Sequence, residues 1–252
     1  MSRVPSATDE LAKKPRDMNT AEAAWGCSHA GALASPGDLR RLVTRLPLGL
    51  RLAGAAARDP RTFYTTALAI RRHRALQKPL ELFDYLRFLR PRGVVRYLEI
   101  GTLWGGMFFA HCSVLSPAGH AMAIDRFPSE SVDAMTARYR SLARPGQRVT
   151  CLWRNSHDDE TAAQVRVALG GAPLDLLFLD GDHSDAGIAR DYELYAPLVR
   201  EGGVIALHDI DAPVGGGMPA FWRRLRQRHE GVEFIDRRHA PQGLGIGAIV
   251  KR

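Results

Sequence analysis

The chain has 252 residues, 45% of them hydrophobic and 25% charged, enough for one sizeable core with an appendage. Its net charge of +8 does not mark a nucleic-acid binder, because the excess is one-sided: residues 1–98 hold 18 Lys/Arg against 8 Asp/Glu, and residues 99–252 hold 17 against 19. Cys27, Cys112 and Cys151 form no C-x-x-C pair, which argues against a disulfide framework and a zinc site, and no apolar run approaches the ~20 residues of a membrane span.

The first 20 residues also lack a signal-like apolar stretch, so the expected location is cytoplasmic. Residues 1–36 are polar, rich in Ala, Ser, Gly and Pro, and read as a flexible N-terminal arm. From residue 37 the pattern turns helical. GDLRRLVTRL opens on Asp38 as a cap and stops at Pro47, and DPRTFYTTALAIRRHRAL opens on Asp59 with Pro60 at the first helical position. LELFDYLRFLR places Leu82, Phe83, Leu86 and Leu89 along one face and runs into Pro91. Residues 37–92 therefore read as a helical cap.

Over residues 93–252 apolar runs alternate with helical stretches. VVRYLEIG, HAMAIDRF, VTCLWRN, LDLLFLDGD and GGVIALHDI read as strands, with SVDAMTARYRSLA, ETAAQVRVAL, AGIARDYELYAPLV and PAFWRRLRQRH as the helices between and after them. VEFIDRR and LGIGAIVK close the chain as an antiparallel pair. The expected fold class is α/β: a Rossmann-like, seven-stranded, mostly parallel sheet with helices on both faces, preceded by the helical cap.

The first of these strands ends in Glu99-Ile100-Gly101-Thr102-Leu103-Trp104-Gly105-Gly106 and passes directly into the apolar helix MFFAHCSVL. This is the strand–turn–helix opening of a nucleotide-binding unit. Its glycines follow G-x-x-x-G-G, not the G-x-G-x-x-G of a dinucleotide site, and Glu99 would repel a pyrophosphate. A cofactor with a cationic end and no phosphate fits better, as S-adenosylmethionine (SAM) does. Gly101, Thr102, Gly105 and Gly106 are then cofactor-binding positions. The E-x-G-x-x-x-G pattern resembles motif I of the class I SAM-dependent methyltransferases.

Ligands in such sheets bind beyond the carboxyl ends of the strands, where the strand order reverses. The second strand ends at Asp125, 24 residues past Gly101, a position suited to the ribose hydroxyls. The fourth ends in Asp180-Gly181-Asp182-His183-Ser184 and the fifth in His208-Asp209. Two hard carboxylates on adjacent strand ends, Asp180 and Asp209, suit Mg²⁺. His183 and His208 are candidate bases, since imidazole titrates near neutral pH and an alcohol acceptor must lose a proton.

The string F-L-D-G-D-H-S…D-x-x-x-Y-x-P-L-V…G-G-x-I-A-L-H-D-I is specific. It resembles a branch of small-molecule O-methyltransferases that includes the macrocin and mycinamicin sugar O-methyltransferases and a cephalosporin-biosynthesis protein once called a hydroxylase. The resemblance covers roughly residues 75–250. It implies that Gln77, in ALQKPLELFDYL, lies near the cofactor, that Ser156 borders the adenine, and that the acceptor is a small-molecule hydroxyl. It also implies a metal held by Asp180 with the pair His208-Asp209. His208 stands where the metal-dependent relatives have an acid; imidazole suits Mn²⁺ better than Mg²⁺, so metal dependence stays open. His183 occupies the place of the catalytic lysine in catechol O-methyltransferase-like enzymes and ranks first as base.

Asp182 reads alternatively as a helix cap, and Asp191 as a loop holder. Trp104, Tyr192 and Trp222 read as core aromatics rather than pocket walls. The basic runs RRLRQRH, ARDPR and IRRHR read as solvated surface. The leading expectation is a SAM-dependent O-methyltransferase of a secondary metabolite or its sugar, with self-association left open. The alternatives are an RNA methyltransferase using the basic cap and a non-catalytic SAM-fold binding protein.

Overall fold

In the computed structural model, residues 48–126, 131–212, 216–237 and 244–252 are described. The arm expected over residues 1–36 and the helix expected between Asp38 and Pro47 lie outside them.

The described chain opens with three helices, α1 (Leu48–Arg58), α2 (Pro60–Arg71) and α3 (Pro79–Leu89). As the sequence predicts, Asp59 caps α2: its backbone is extended, its carboxylate accepts the Thr62 N–H at 3.0 Å, and Pro60 fills the first turn. The helix ends earlier than the run to Leu76 suggests. Arg74 turns into the left-handed region (φ 59), which lays Ala75 against Gly106; a Cβ on that glycine would sit 2.3 Å from the Ala75 nitrogen. The apolar stretch after Pro47, read above only as too short for a membrane span, forms α1. It packs Leu52 and Ala55 on Phe63 and Phe83. No helix among the described residues is long and apolar enough to cross a membrane.

Seven strands follow: β1 (Arg96–Ile100), β2 (His120–Ile124), β3 (Arg148–Leu152), β4 (Leu174–Leu179), β5 (Val199–His208), β6 (Gly231–Phe234) and β7 (Ile246–Val250). They form one sheet in the order β3-β2-β1-β4-β5-β7-β6. The first five are parallel; β7 runs antiparallel to both β5 and β6, the closing antiparallel pair the sequence predicts. Helices α4 (Gly106–Val114), α5 (Val132–Leu142), α6 (Asp159–Leu169), α7 (Asp185–Tyr195) and α8 (Gly217–Arg226) connect the strands.

Side chains alternate across the central strands, so these feed two cores. Tyr97, Phe178 and Ala206 face one layer with Leu82, Tyr85 and Leu86 of α3, Phe108 of α4 and Tyr139 of α5. Leu98, Ile100, Leu179 and Leu207 face the other, with Val165 of α6, Ile188 of α7 and Trp222 of α8. The α3 helix thus belongs to the sheet's own core. Cys112 and Cys151, the cysteines among the described residues, are free thiols.

Candidate active site

Strand order reverses between β1 and β4, so the crevice opens at the carboxyl ends of these two strands. Register places the candidates there. Glu99 pairs with Phe178 and Ile100 with Leu179, which sets Gly101 beside Asp180; Leu179 pairs in turn with Leu207, which sets Asp180 beside His208.

At the end of β1, Gly101 turns through a left-handed conformation (φ 79), and a Cβ there would lie 2.1 Å from the Asp180 carbonyl oxygen. Gly105 (φ 84) sits against Leu142 and Tyr139 in the same way. The glycines expected for a cofactor are therefore already required by the chain's own close packing. Asp125 governs the loop they form. Its Oδ2 accepts the N–H groups of Thr102 and Leu103, each at 2.9 Å, and the Thr102 hydroxyl at 3.3 Å. This ties the β2 end to the β1 turn, a role beyond the ribose contact expected of it.

Glu99 Oε1 and Gln77 Oε1 are among the buried acceptor oxygens with no hydrogen-bond partner among the described residues. Glu99 is completely buried, and its other oxygen lies 3.1 Å from His111 Nδ1. Burial drives its carboxyl well above the usual range, with Asp180 and Asp125 adding to the effect. Orphaned, desolvated acceptors of this kind fit a ligand that brings its own cation and donors, as the ammonium-bearing end of SAM does.

Beyond β3, Ser156 is buried and its carbonyl accepts the Tyr195 hydroxyl at 2.7 Å. Asp191 is completely buried beneath it, with His157 Nε2 at 3.6 Å from its Oδ1. Burial lifts the Asp191 carboxyl to about 6 against the opposing effects of Ser156 and His157. Ser184 caps α7 by accepting the Gly187 N–H at 3.0 Å, while Asp182 accepts the Ser184 N–H at 2.8 Å and braces that cap from outside.

Asp180, His183 and Asp209 converge. Each offers one ligand atom, all within 4.8 Å of one another. His183 lies between the two acids, with Nε2 3.4 Å from Asp180 Oδ1 and Nδ1 3.3 Å from Asp209 Oδ2. Its side chain is 45% exposed. The hydrogen bond to Asp180 raises its pKa, over the contrary effect of burial. Asp209 holds a left-handed backbone (φ 56), uncommon for a non-glycine residue.

His208 differs from His183 in almost every respect. It is 3% exposed, its Nδ1 lies 3.2 Å from Asp180 Oδ1 and 3.4 Å from Asp209 Oδ1, and its Nε2 is buried without a partner among the described residues. Burial opposes its charge, but the two carboxylates outweigh this and push it up to about 9. With no cation on the two acids, this favours the imidazolium form of His208 at neutral pH. His183 joins the two acids in this cluster, and the same acids also touch His208, the histidine expected from the sequence beside a metal.

The aromatics divide. Trp222 is core: it is buried, spans Gly231 and Gly247, and donates Nε1–H to Glu233 at 2.8 Å. Tyr192 meets Phe221 edge-on. Trp104 lies half-buried under the Arg74 guanidinium, 3.9 Å from the ring centre. Arg223, Arg224 and Arg226 are exposed, as the solvated-face reading expects. Sequence reasoning missed the buried trio Lys78, Glu81 and Asp236. Glu81 accepts the N–H groups of Asp236 at 2.7 Å and Gly245 at 3.1 Å, with Lys78 Nζ at 3.4 Å.

Comparison with known proteins agrees with this geometry. Residues 98–210 match the family profile described as "Methyltransferase domain". No curated protein matches the chain significantly. Among solved structures, an O-methyltransferase from Bacillus cereus in complex with SAH is similar at 17% identity and a TM-score of 0.52, over 85% of this chain and 97% of that one. A putative O-methyltransferase from Klebsiella pneumoniae is similar at 19% identity and 0.52, over 77% and 89%. The O-methyltransferase TomG of Streptomyces achromogenes, involved in tomaymycin synthesis and solved with SAM, is similar at 20% identity and 0.50, over 76% and 90%. Residues 98–210 are thus similar to a methyltransferase domain, and the fold is the one these solved O-methyltransferases share.

Proposed function

We propose that the chain transfers the methyl group of SAM to a hydroxyl oxygen of a small molecule, a secondary metabolite or its sugar. The observation that carries this reading is the convergence of Asp180, His183 and Asp209 one strand from the Glu99–Gly101 turn. The similarity to solved O-methyltransferases supports the choice of oxygen as acceptor. The acceptor oxygen forms a bond to the methyl carbon, the carbon–sulfur bond breaks, and the hydroxyl proton leaves to a base. Alcohols are weak nucleophiles at neutral pH, so this last requirement selects the residues.

His183 is exposed to the crevice and carries that proton, with Asp180 and Asp209 orienting its ring and stabilising the imidazolium that forms. His208, charged and buried, fixes both acids. A divalent ion also fits the donor set of two carboxylates and an imidazole, Mn²⁺ better than Mg²⁺. Asp180, His183 and Asp209 would hold it, and it would acidify the acceptor hydroxyl. In our reading residues 93–252 form the methyltransferase domain, and the protein acts in the cytoplasm.

The test is methyl-labelled SAM incubated with hydroxylated glycosides and polyketides, with and without EDTA. Label recovered in an ether supports the proposal, and label recovered in an amine, carbon or RNA product overturns it. Activity that survives chelation assigns the proton to His183 without a metal.

A further inference from the structure

Glu99 is a buried acid with no positive partner among the described residues. The group that touches it, His111 on α4, is itself completely buried, and burial holds its pKa down near 3. A neutral imidazole is a hydrogen-bond donor and not a counter-ion. Its other nitrogen, Nε2, lies 3.0 Å from the hydroxyl of Tyr85 on α3, and that hydroxyl is buried too. The three side chains form one line: Tyr85, His111, Glu99.

The direction of that line follows from donor counting. A carboxylate only accepts, so the ionised Glu99 that a ligand's ammonium would face requires the proton on Nδ1. Nε2 is then an acceptor, and the Tyr85 hydroxyl is the donor that satisfies it. With this tautomer every polar hydrogen in the line is used, and Glu99 Oε1 is the group left over, buried and without a partner among the described residues. An imidazole pinned between two buried partners and flanked by Tyr97 and Phe178, with ring centres 4.5 and 4.9 Å away, has little freedom to turn.

We infer that His111 and Tyr85 are positioning residues for the cofactor: they lock Glu99 so that its free oxygen receives the ammonium of the SAM methionine moiety. This rests on the reading that Glu99 faces the cofactor. Two helices from different parts of the chain, α3 before the sheet and α4 after the glycine turn, thereby set one carboxylate. His111→Asn keeps a donor near the Nδ1 position, whereas His111→Leu removes it.

The experiment measures the affinity of two probes by calorimetry. S-adenosylhomocysteine carries the ammonium; 5′-methylthioadenosine lacks the whole amino-acid end. His111→Leu should weaken S-adenosylhomocysteine roughly tenfold and leave methylthioadenosine unchanged, His111→Asn should restore most of the loss, and Tyr85→Phe should show a smaller loss of the same selectivity. Equal losses for both probes, or none for S-adenosylhomocysteine, overturn the inference, since a merely structural role cannot tell the two ligands apart. Failure of the wild type to bind S-adenosylhomocysteine would instead remove the cofactor reading beneath it. The ¹⁵N spectrum of labelled histidine, assigned by its loss in His111→Asn, gives an independent readout in the folded wild type. A neutral ring protonated at Nδ1 in the complex supports the inference, and protonation at Nε2 overturns it.

Discussion

His208 turns its Nδ1 toward Asp180, 3.2 Å from Oδ1, and lies buried beneath the exposed ring of His183, which addresses the same oxygen from the crevice side at 3.4 Å. One carboxylate thus serves two histidines with opposite exposures. The buried ring supplies charge and the exposed ring exchanges protons. This division predicts different consequences for the two substitutions.

His183→Ala should lower kcat by ~10²–10³, the usual contribution of a positioned base, while leaving the affinity for SAM within about twofold. His183 works in its neutral form, and its pKa is raised by Asp180. The wild-type activity should therefore be present above that pKa and fall as pH drops through it, with the midpoint of the acid limb above 6.5. A pH–rate profile that stays flat down to pH 6 would reject His183 as the base.

His208 should appear in stability more than in proton transfer. Its folded pKa of about 9 exceeds the unfolded value near 6.5, so its stabilising contribution is fully present below pH 6.5 and is lost as pH rises through 9. The gap corresponds to something on the order of 3 kcal/mol. Chelator-treated wild type should lose that stability between pH 7 and pH 10, measured by urea unfolding. His208→Gln should start lower and change little over the same range. Parallel curves for the two proteins would show that His208 carries no such charge.

Gly101 gives a structural prediction. A methyl group there must displace the Asp180 carbonyl, 2.1 Å away, on a backbone already at φ 79. Gly101→Ala should cost on the order of 4 kcal/mol, from steric overlap and left-handed strain together. Thermal unfolding measures it directly. Because the displaced atom belongs to a candidate catalytic aspartate, the activity of any folded fraction should fall as well.

The fold was legible because its signals are local. Apolar runs such as LDLLFLD, turn glycines and the Asp59-Pro60 cap each declare an element within a few residues. The site was legible as far as strand ends go, since parallel register brings Gly101, Asp180 and His208 side by side once the strands are known. Exposure was not legible. His183 and His208 both follow a strand in the text of the sequence, and only the packed structure shows which ring meets solvent. His111 was hidden for a related reason: within MFFAHCSVL it looks like one polar residue in a core helix, and its partners lie on β1 and α3. Lys78 and Glu81 stand one turn apart, and nothing in the local sequence marks them as buried. Their burial depends on Asp236 and Gly245, more than 150 residues later.

That pair supplies the last prediction. Both Glu81 oxygens are committed to backbone N–H groups, one from Asp236 and one from Gly245, and Lys78 supplies the countercharge from one turn away. The Gly245 carbonyl in turn faces the Ile210 N–H at 3.4 Å, next to the strained backbone of Asp209. Glu81→Gln can satisfy only one of the two N–H groups, opposes the other with its own NH₂, and removes the acid 3.4 Å from the buried Lys78 ammonium. The expected cost is roughly 3–5 kcal/mol. The double variant Lys78→Met, Glu81→Gln removes the Lys78 charge as well and should recover part of this, so the two changes should be non-additive by at least ~1 kcal/mol in a double-mutant cycle. Since Glu81 reaches the Asp209 side of the site, through the Gly245 backbone and through its charge on His208, kcat should fall in the double variant while SAM affinity, set at the β1 and β2 ends, holds. Additive stabilities would mean that Lys78 and Glu81 are not coupled, and an unchanged kcat would mean that the clamp on Gly245 does not reach Asp209.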